Sequence, residues 1–182
     1  MTAQDNKEVI LRWFAEAWNK GNIDVADEIV TDDYVGYVSG NPGPMDGRGP
    51  LQQFVTDWRT AFPDVHYTVH DVIGEGDMTL AYWTASGTHT GPMLGIPPTG
   101  RKVTIEGATI SRYRDGQVVV GRGIFDRLDI LQQLGVMPPT SAIETPAARI
   151  LFWAIVNRNR VGLALVGATV LGILARVVSS SK

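Results

Sequence analysis

The sequence predicts an α+β domain in which helices at the amino end pack against a cone-shaped, curved antiparallel sheet. Apolar residues recur at helical spacing through the first third of the chain, and alternating runs typical of strands, separated by turn residues, follow them. These strand runs also contain glycines, at which a sheet bends most easily. A sheet that curls beneath helices encloses a concave interior, where a small-molecule site is most often found.

The helices are predicted first. Residues 5–20 place apolar side chains on one face and end at Gly21; residues 23–30 form a second short helix. Residues 51–62 form a third helix, which Pro63 closes. Strands are predicted at residues 34–38, 65–73, 78–90, 101–114 and 118–125. A last short helix is predicted at residues 128–134.

Composition excludes several classes of function. The chain has 182 residues, a net charge of −3 and no cysteine, so we expect no nucleic-acid partner, disulfide or thiolate chemistry. His66 and His70 alternate with the apolar residues of a predicted strand and should point outward. Four residues apart on a strand, they lie roughly 13 Å from each other, too far to share a metal. We expect no metal.

The chain changes character after residue 138. Residues 1–138 have the composition of one globular domain, 139–147 read as a linker, and 148–182 form an apolar helical tail. Three structures fit the tail: a helix that spans a membrane within residues 150–178, a hairpin lying on the membrane, or a helix that mediates oligomerisation. The amino terminus lacks the pattern of a secretory signal, so we expect a cytoplasmic domain, anchored at the membrane by its tail.

Three segments carry a family resemblance: GTHTGPMLGIPPTGR at 87–101, ISRYRDGQVV at 110–119 and FDRLDILQQLGV at 125–136. In this order and spacing they resemble the SnoaL-like polyketide cyclases of the nuclear transport factor 2-like superfamily, over roughly residues 5–137. The resemblance implies a cone-shaped fold, often dimeric, that works without metal or organic cofactor. It also implies ring closure by intramolecular aldol chemistry, although relatives hydrolyse epoxides, isomerise ketosteroids or only bind.

Asp126 and His89 are the candidate catalytic residues. Alternation along the last strand places Asp126 on the face of Val118, Arg122 and Ile124, where apolar neighbours favour a protonated carboxyl group suited to proton transfer. The resemblance implies the acid/base role for this aspartate; alternatively, Asp126 caps the helix that follows. His89 either donates a hydrogen bond to a substrate carbonyl or anchors the loop at 91–100, which is itself either a lid or a fixed rim.

The candidate substrate-binding residues are aromatic or charged. Their positions are Trp13, Tyr37, Trp58, Tyr82, Glu106 and Arg122. A guanidinium on the pocket face needs an anion, which either Glu106 or a ligand carboxylate supplies. Tyr37 stands where the family usually has histidine and Tyr82 where it has arginine, and Val120 and Arg122 replace a usual glutamate and tryptophan. These changes indicate a different substrate, or a pocket that binds without turnover.

The leading hypothesis is a cofactor-independent acid/base enzyme that cyclises a hydrophobic small molecule, as a homodimer. A non-catalytic binding or scaffold module, anchored by its tail, is the alternative from another class. An epoxide hydrolase or isomerase is the third, and it would need a second polar pair to position water, for which Tyr37 and Tyr82 are the candidates.

Overall fold

The computed structural model describes residues 2–138 and residue 141. The chain divides into two units between Val136 and Met137, and every helix and strand named here belongs to the first. Over the described part of the chain, no helix is both long and apolar enough to cross a membrane. The predicted tail and all but one residue of the predicted linker lie outside the described residues.

The helices begin and end at recognisable signals. Helix α1 (Ala3–Trp13) starts with a capping box, in which the Thr2 hydroxyl accepts from the Asp5 N–H and the Asp5 carboxylate accepts from the Thr2 N–H. The helix continues as a π-helical segment, Phe14–Lys20, and stops at Gly21, whose φ of +75° glycine adopts without strain. A 3₁₀ turn at Ile23–Val25 leads into α2 (Ala26–Ile29), and α3 spans Arg48–Ala61. The three predicted amino-terminal helices are confirmed to within a few residues.

Six strands form one sheet in the order β2-β1-β6-β5-β4-β3. They are β1 (Val30–Val38), β2 (Met45–Asp46), β3 (His66–Glu75), β4 (Met78–Thr88), β5 (Lys102–Arg114) and β6 (Gln117–Phe125), and α4 (Arg127–Gln133) follows. All neighbouring strands are antiparallel except β1 and β6, which are parallel. The sheet is therefore mixed, and the wholly antiparallel prediction is wrong. The long chain between β1 and β6 permits parallel pairing, which a tight hairpin forbids.

A β-bulge interrupts the alternation of β6. Val118 lies opposite Tyr113 and Val120 lies opposite Arg112, which leaves Val119 without a partner on β5. One extra residue reverses the direction of every side chain beyond it.

The residues after this bulge accordingly face the other way from the prediction. Gly121 is buried and Phe125 packs on Trp83 in the interior, whereas Arg122 and Ile124 are exposed. The expectation that Arg122 and Ile124 share the face of Val118 is wrong for this reason.

Strand β3 contains a second β-bulge, which likewise reverses the faces of the residues beyond it. Val69 lies opposite Trp83 and Asp71 opposite Tyr82, so His70 is the extra residue. Ile73, predicted to face inward with Val69, is 66% exposed as a result. His66 and His70 are exposed, as predicted.

Aromatic rings fill the space between helices and sheet. The Tyr67 ring lies 4.7 Å from Trp18, 5.0 Å from Trp83 and 5.6 Å from Phe14, measured between centroids. Gly107 on β5 makes this packing possible, because a Cβ there would come within 2.5 Å of the Trp83 ring. The interior of the cone is thus an aromatic core with little free volume.

Candidate functional site

A groove of about 590 Å³ lies where β1, β4 and β6 finish, between α3, the loop that joins β4 to β5, and α4. Its volume falls in the range of small-molecule sites, roughly 300–1,000 Å³. Apolar and aromatic side chains form most of its wall. The lining comprises Asn41, Phe54, Asp57, Trp58, Thr60, Pro92, Met93, Leu94, Gly95, Arg127, Ile130 and Leu131.

Two rings of α3 separate the groove from the interior. Phe54 and Trp58 are four residues apart, so they project from the same face of the helix, with centroids 6.2 Å apart. Trp58 meets Phe125 edge-on at 5.8 Å, and Phe54 meets Trp18 edge-on at 6.1 Å. Trp58, a predicted binding residue, therefore lines the groove.

Behind these rings lie two smaller cavities, of about 50 and 80 Å³. The smaller one is lined by Phe14, Trp18, Val38, Phe54, Trp58, Tyr67, Trp83, Thr109, Gly123 and Phe125. The larger one includes Trp13, a predicted binding residue, together with Tyr34 and Gly121. No carboxylate and no histidine lines either cavity, as far as residues 2–138 go.

Tyr34 and Tyr67 were not among the predicted site residues. The alternation of β3 did place Tyr67 on the inward face, but an inward aromatic residue ordinarily means packing. What distinguishes these phenols is the absence of a hydrogen-bond partner in the described part of the chain, which a sequence pattern does not reveal.

His89 anchors the loop between β4 and β5. It is fully buried, and its Nδ1 accepts a hydrogen bond from the Thr99 N–H at 3.2 Å. Its backbone pairs with Arg101 and Gly100 across the base of the loop. Burial lowers the pKa of His89, so the ring is neutral, with its proton on Nε2. His89 does not line the groove, and its contacts match the anchoring alternative.

The loop is held at its base and projects at its tip. Thr90 and Gly91 donate to the Ala61 carbonyl at the end of α3, at 3.0 and 3.1 Å. Leu94 forms the tip with φ of +51°, a conformation that costs a branched side chain about 1–2 kcal/mol, and is 71% exposed beside the groove. The base is therefore a fixed rim.

Asp126 is the N-cap of α4. Its Oδ1 accepts from the Leu128 and Asp129 N–H groups at 2.8 and 3.1 Å, whereas Oδ2 has no partner among the described residues. The carboxyl group is exposed and stands between Phe125, which packs inward, and Arg127, which lines the groove. The predicted capping role is confirmed. The apolar surroundings expected for this carboxyl group are absent, because the bulge in β6 changes its face.

Four predicted binding residues lie on the outer face of the sheet. Arg122 stacks over the Tyr37 ring at 4.4 Å and forms no ion pair with Glu106 or any other described carboxylate. The Glu106 carboxylate beside the Tyr82 phenol raises the pKa of Tyr82. The structure thus groups Tyr37 with Arg122, which both also border the cavity of about 80 Å³, and Tyr82 with Glu106, which line neither the groove nor the two small cavities.

The ionisable groups of the groove are sparse. Asp57 accepts a hydrogen bond from Gln53 at 2.6 Å, and Arg127 passes across Gly40 at the opposite wall. Nowhere in residues 2–138 do three histidine, aspartate or glutamate side chains converge as metal ligands.

A cone of helices closing a curved mixed sheet, with its opening at the strand ends, is the nuclear transport factor 2-like fold. Residues 8–134 match the family model of the SnoaL-like polyketide cyclases, and the chain belongs to that family.

Sequence relatives and solved structures agree with this family assignment. The nogalonic acid methyl ester cyclase of Streptomyces nogalater is 31% identical over 120 residues, which cover 65% of this chain and 90% of that enzyme. The aklanonic acid methyl ester cyclase DauD of Streptomyces sp. (strain C5) is 30% identical over 138 residues, which cover 72% of this chain and 83% of that enzyme. A crystal structure from Jannaschia sp. CCS1, assigned to the SnoaL-like polyketide cyclases, superposes with a TM-score of 0.70 at 29% identity, covering 75% of this chain and 95% of that one.

Proposed function

We propose that this domain is a cofactor-independent cyclase that closes a ring in a hydrophobic, polyketide-type ketone by an intramolecular aldol reaction. The observation that carries the proposal is the apolar groove of about 590 Å³, whose lining includes Arg127, the residue that follows the exposed Asp126 carboxyl group in the chain. The relatives named above, cyclases of nogalonic acid and aklanonic acid methyl esters, support a substrate of this class.

Asp126 is the group to which we assign proton transfer. One of its oxygens is committed to the α4 cap, and the other, Oδ2, is available to a ligand. The carboxylate takes a proton from the carbon next to a carbonyl group, and the resulting enolate carbon bonds to a second carbonyl carbon. The alkoxide formed there takes the proton back, so the reaction consumes neither oxidant nor metal. His89 positions the loop that walls the groove.

Incubation of the full chain with aklanonic acid methyl ester, followed by liquid chromatography, tests the proposal. We expect the wild-type protein to convert the ester, and Asp126→Asn to bind it unchanged, because the amide keeps the helix cap and loses the base. Conversion by both proteins would remove Asp126 from the mechanism.

A binding module is the second candidate, and one observation favours it: neither of the two small cavities is lined by a carboxylate or a histidine of residues 2–138. In that case both proteins bind the ester and neither converts it.

We further propose a homodimer formed through the outer face of the sheet. Tyr37, Leu80, Tyr82 and Ile124 are exposed there on β1, β4 and β6, with β5 between β4 and β6, and a patch of this kind is seldom left open to water. Arg122 and Glu106 lie on the same face, so two copies related by a two-fold axis can pair them. Sedimentation velocity should give a dimer for the wild-type chain and a monomer for Ile124→Glu; a monomeric wild-type chain would contradict the assignment.

We also propose that residues 150–178 attach the domain to a membrane. The support is in the sequence, where residues 161–175 are fifteen apolar or small residues preceded by two arginines. Fractionation of cells that produce the full chain should find it with membranes, and a chain ending at residue 149 should leave them. A full chain recovered away from the membranes would contradict this proposal.

A further inference from the structure

Two tyrosines of the interior carry hydroxyl groups with nothing to bind. Tyr34 and Tyr67 are 5% and 6% exposed, and neither phenol has a hydrogen-bond partner within the described part of the chain. Each of these residues borders a small cavity, and a hydroxyl group that has no partner in an apolar cavity calls for an explanation. Tyr113, a third buried tyrosine, is paired in the ordinary way, with Thr79 at 2.9 Å.

The two unpaired hydroxyl groups line different cavities. Tyr34 reaches the one of about 80 Å³, where its oxygen lies against Gly121, a position at which any Cβ would overlap it. Tyr67 reaches the one of about 50 Å³, whose wall also includes Phe54 and Trp58. Both of these rings line the groove as well, so the Tyr67 cavity adjoins the groove along two side chains.

Two other polar side chains of this cavity bond to each other. The Trp83 indole N–H donates to the Thr109 hydroxyl at 3.0 Å. Burial raises the pKa of the Tyr67 phenol, so the group keeps its proton and acts as a donor. A neutral donor in an apolar cavity suits an uncharged carbonyl oxygen, and it also stabilises negative charge that develops on that oxygen.

The volume of the cavity beside Tyr67 limits which part of a ligand can enter it. A cavity of about 50 Å³ holds one or two small groups, whereas the groove of about 590 Å³ holds a ring system. Because Phe54 and Trp58 stand between the groove and this cavity, a ligand in the groove reaches the cavity only with a narrow, oxygen-bearing edge and only when these two rings move apart.

We propose that Tyr67 donates a hydrogen bond to the carbonyl oxygen of an aromatic ketone bound in the groove, and to the same oxygen when it becomes an enolate. The inference rests on the proposed function and assigns to it the group that recognises the reacting carbonyl. The ligand class is a flat bicyclic or larger ketone with its carbonyl at one edge. No covalent bond to the protein forms, and Tyr67 keeps its proton throughout.

α-Tetralone and tetralin test this assignment on the full chain, because they share a shape and differ in the carbonyl group. Tryptophan fluorescence, reporting from Trp18, Trp58 and Trp83, gives both affinities. We expect the wild-type protein to prefer the ketone by about tenfold, the effect of one good hydrogen bond. Tyr67→Phe should reduce that preference to about one and leave tetralin binding unchanged. Tyr34→Phe, which removes the same atom from the other cavity, should keep the preference.

The infrared band of isotope-labelled α-tetralone gives a second readout that a packing role would not move. Its carbonyl stretch should lie at lower frequency on the wild-type protein than on Tyr67→Phe. A ketone preference and a carbonyl band that both survive Tyr67→Phe would overturn the role of the hydroxyl group and leave the cyclase proposal standing. Failure of both compounds to bind would overturn the role of Tyr67 together with the groove as the ligand site.

Discussion

Replacing Asp126 by alanine tests the role of this residue as a helix cap apart from its proposed role in proton transfer. The carboxylate satisfies two N–H groups at the start of α4, at 2.8 and 3.1 Å. Loss of such a cap costs about 1 kcal/mol, which lowers the Tm of a domain of this size by about 3 °C. The helix should stay docked, because Gln133 exchanges two hydrogen bonds with the Thr104 backbone and Ile130 is buried.

Thermal unfolding of the full chain, followed by circular dichroism, measures the effect. Asp126→Asn and Asp126→Ser keep an oxygen acceptor at the cap, so their Tm should stay within about 1 °C of wild type. All three variants should lose turnover if the carboxyl group transfers protons. A wild-type Tm for Asp126→Ala would refute the capping energetics, and an equal loss in Asp126→Asn would assign the effect to charge instead of hydrogen bonding.

Three further outcomes are expected. Tyr67→Phe should raise the free energy of unfolding by up to about 1 kcal/mol, since it removes a buried hydroxyl group that has no partner; a loss of stability in urea titration would contradict this. Gly91→Ala should abolish ligand binding while the domain still folds, because its Cβ would overlap the Thr60 backbone and displace the groove wall; unchanged affinity would show that the loop is not part of the site. Burial lowers the pKa of His89 below 6.5, so in acid the unfolded chain binds more protons than the folded one, and stability should fall as the pH drops below about 6.5. His89→Phe should flatten this dependence of stability on pH. An equally steep curve for the variant would place the titration at another group.

The helices and the number of long strands were predictable because each depends on local pattern. Residues 5–20 repeat apolar side chains at helical spacing up to Gly21, and the turn residues bound each strand. Parallel pairing of β1 with β6 has no such signal, since it joins segments separated by most of the domain.

The site was predicted less well, and for a physical reason. Assigning a face to Arg122 assumes unbroken alternation from Val118, but nothing in a run of three valines marks one of them as a bulge. The sequence around His89 fitted both of its predicted roles, hydrogen-bond donor to a substrate and anchor of the loop. Only the structure distinguishes the two roles, because it shows His89 buried against Thr99. Tyr67 was placed inward, but its unpaired hydroxyl group depends on what surrounds it in space.

The bulge at Val119 has a consequence for comparing members of this family. A homologue that lacks this one residue would present its counterparts of Arg122 and Ile124 to the aromatic core and its counterparts of Gly121 and Gly123 to the outside. Two aligned columns would then hold side chains from opposite surfaces, and the apparent exchange of a polar residue for a glycine would reflect chain length alone. In this strand a single insertion or deletion changes, at several positions at once, which side chains face the core. No single substitution can make an evolutionary step of that kind.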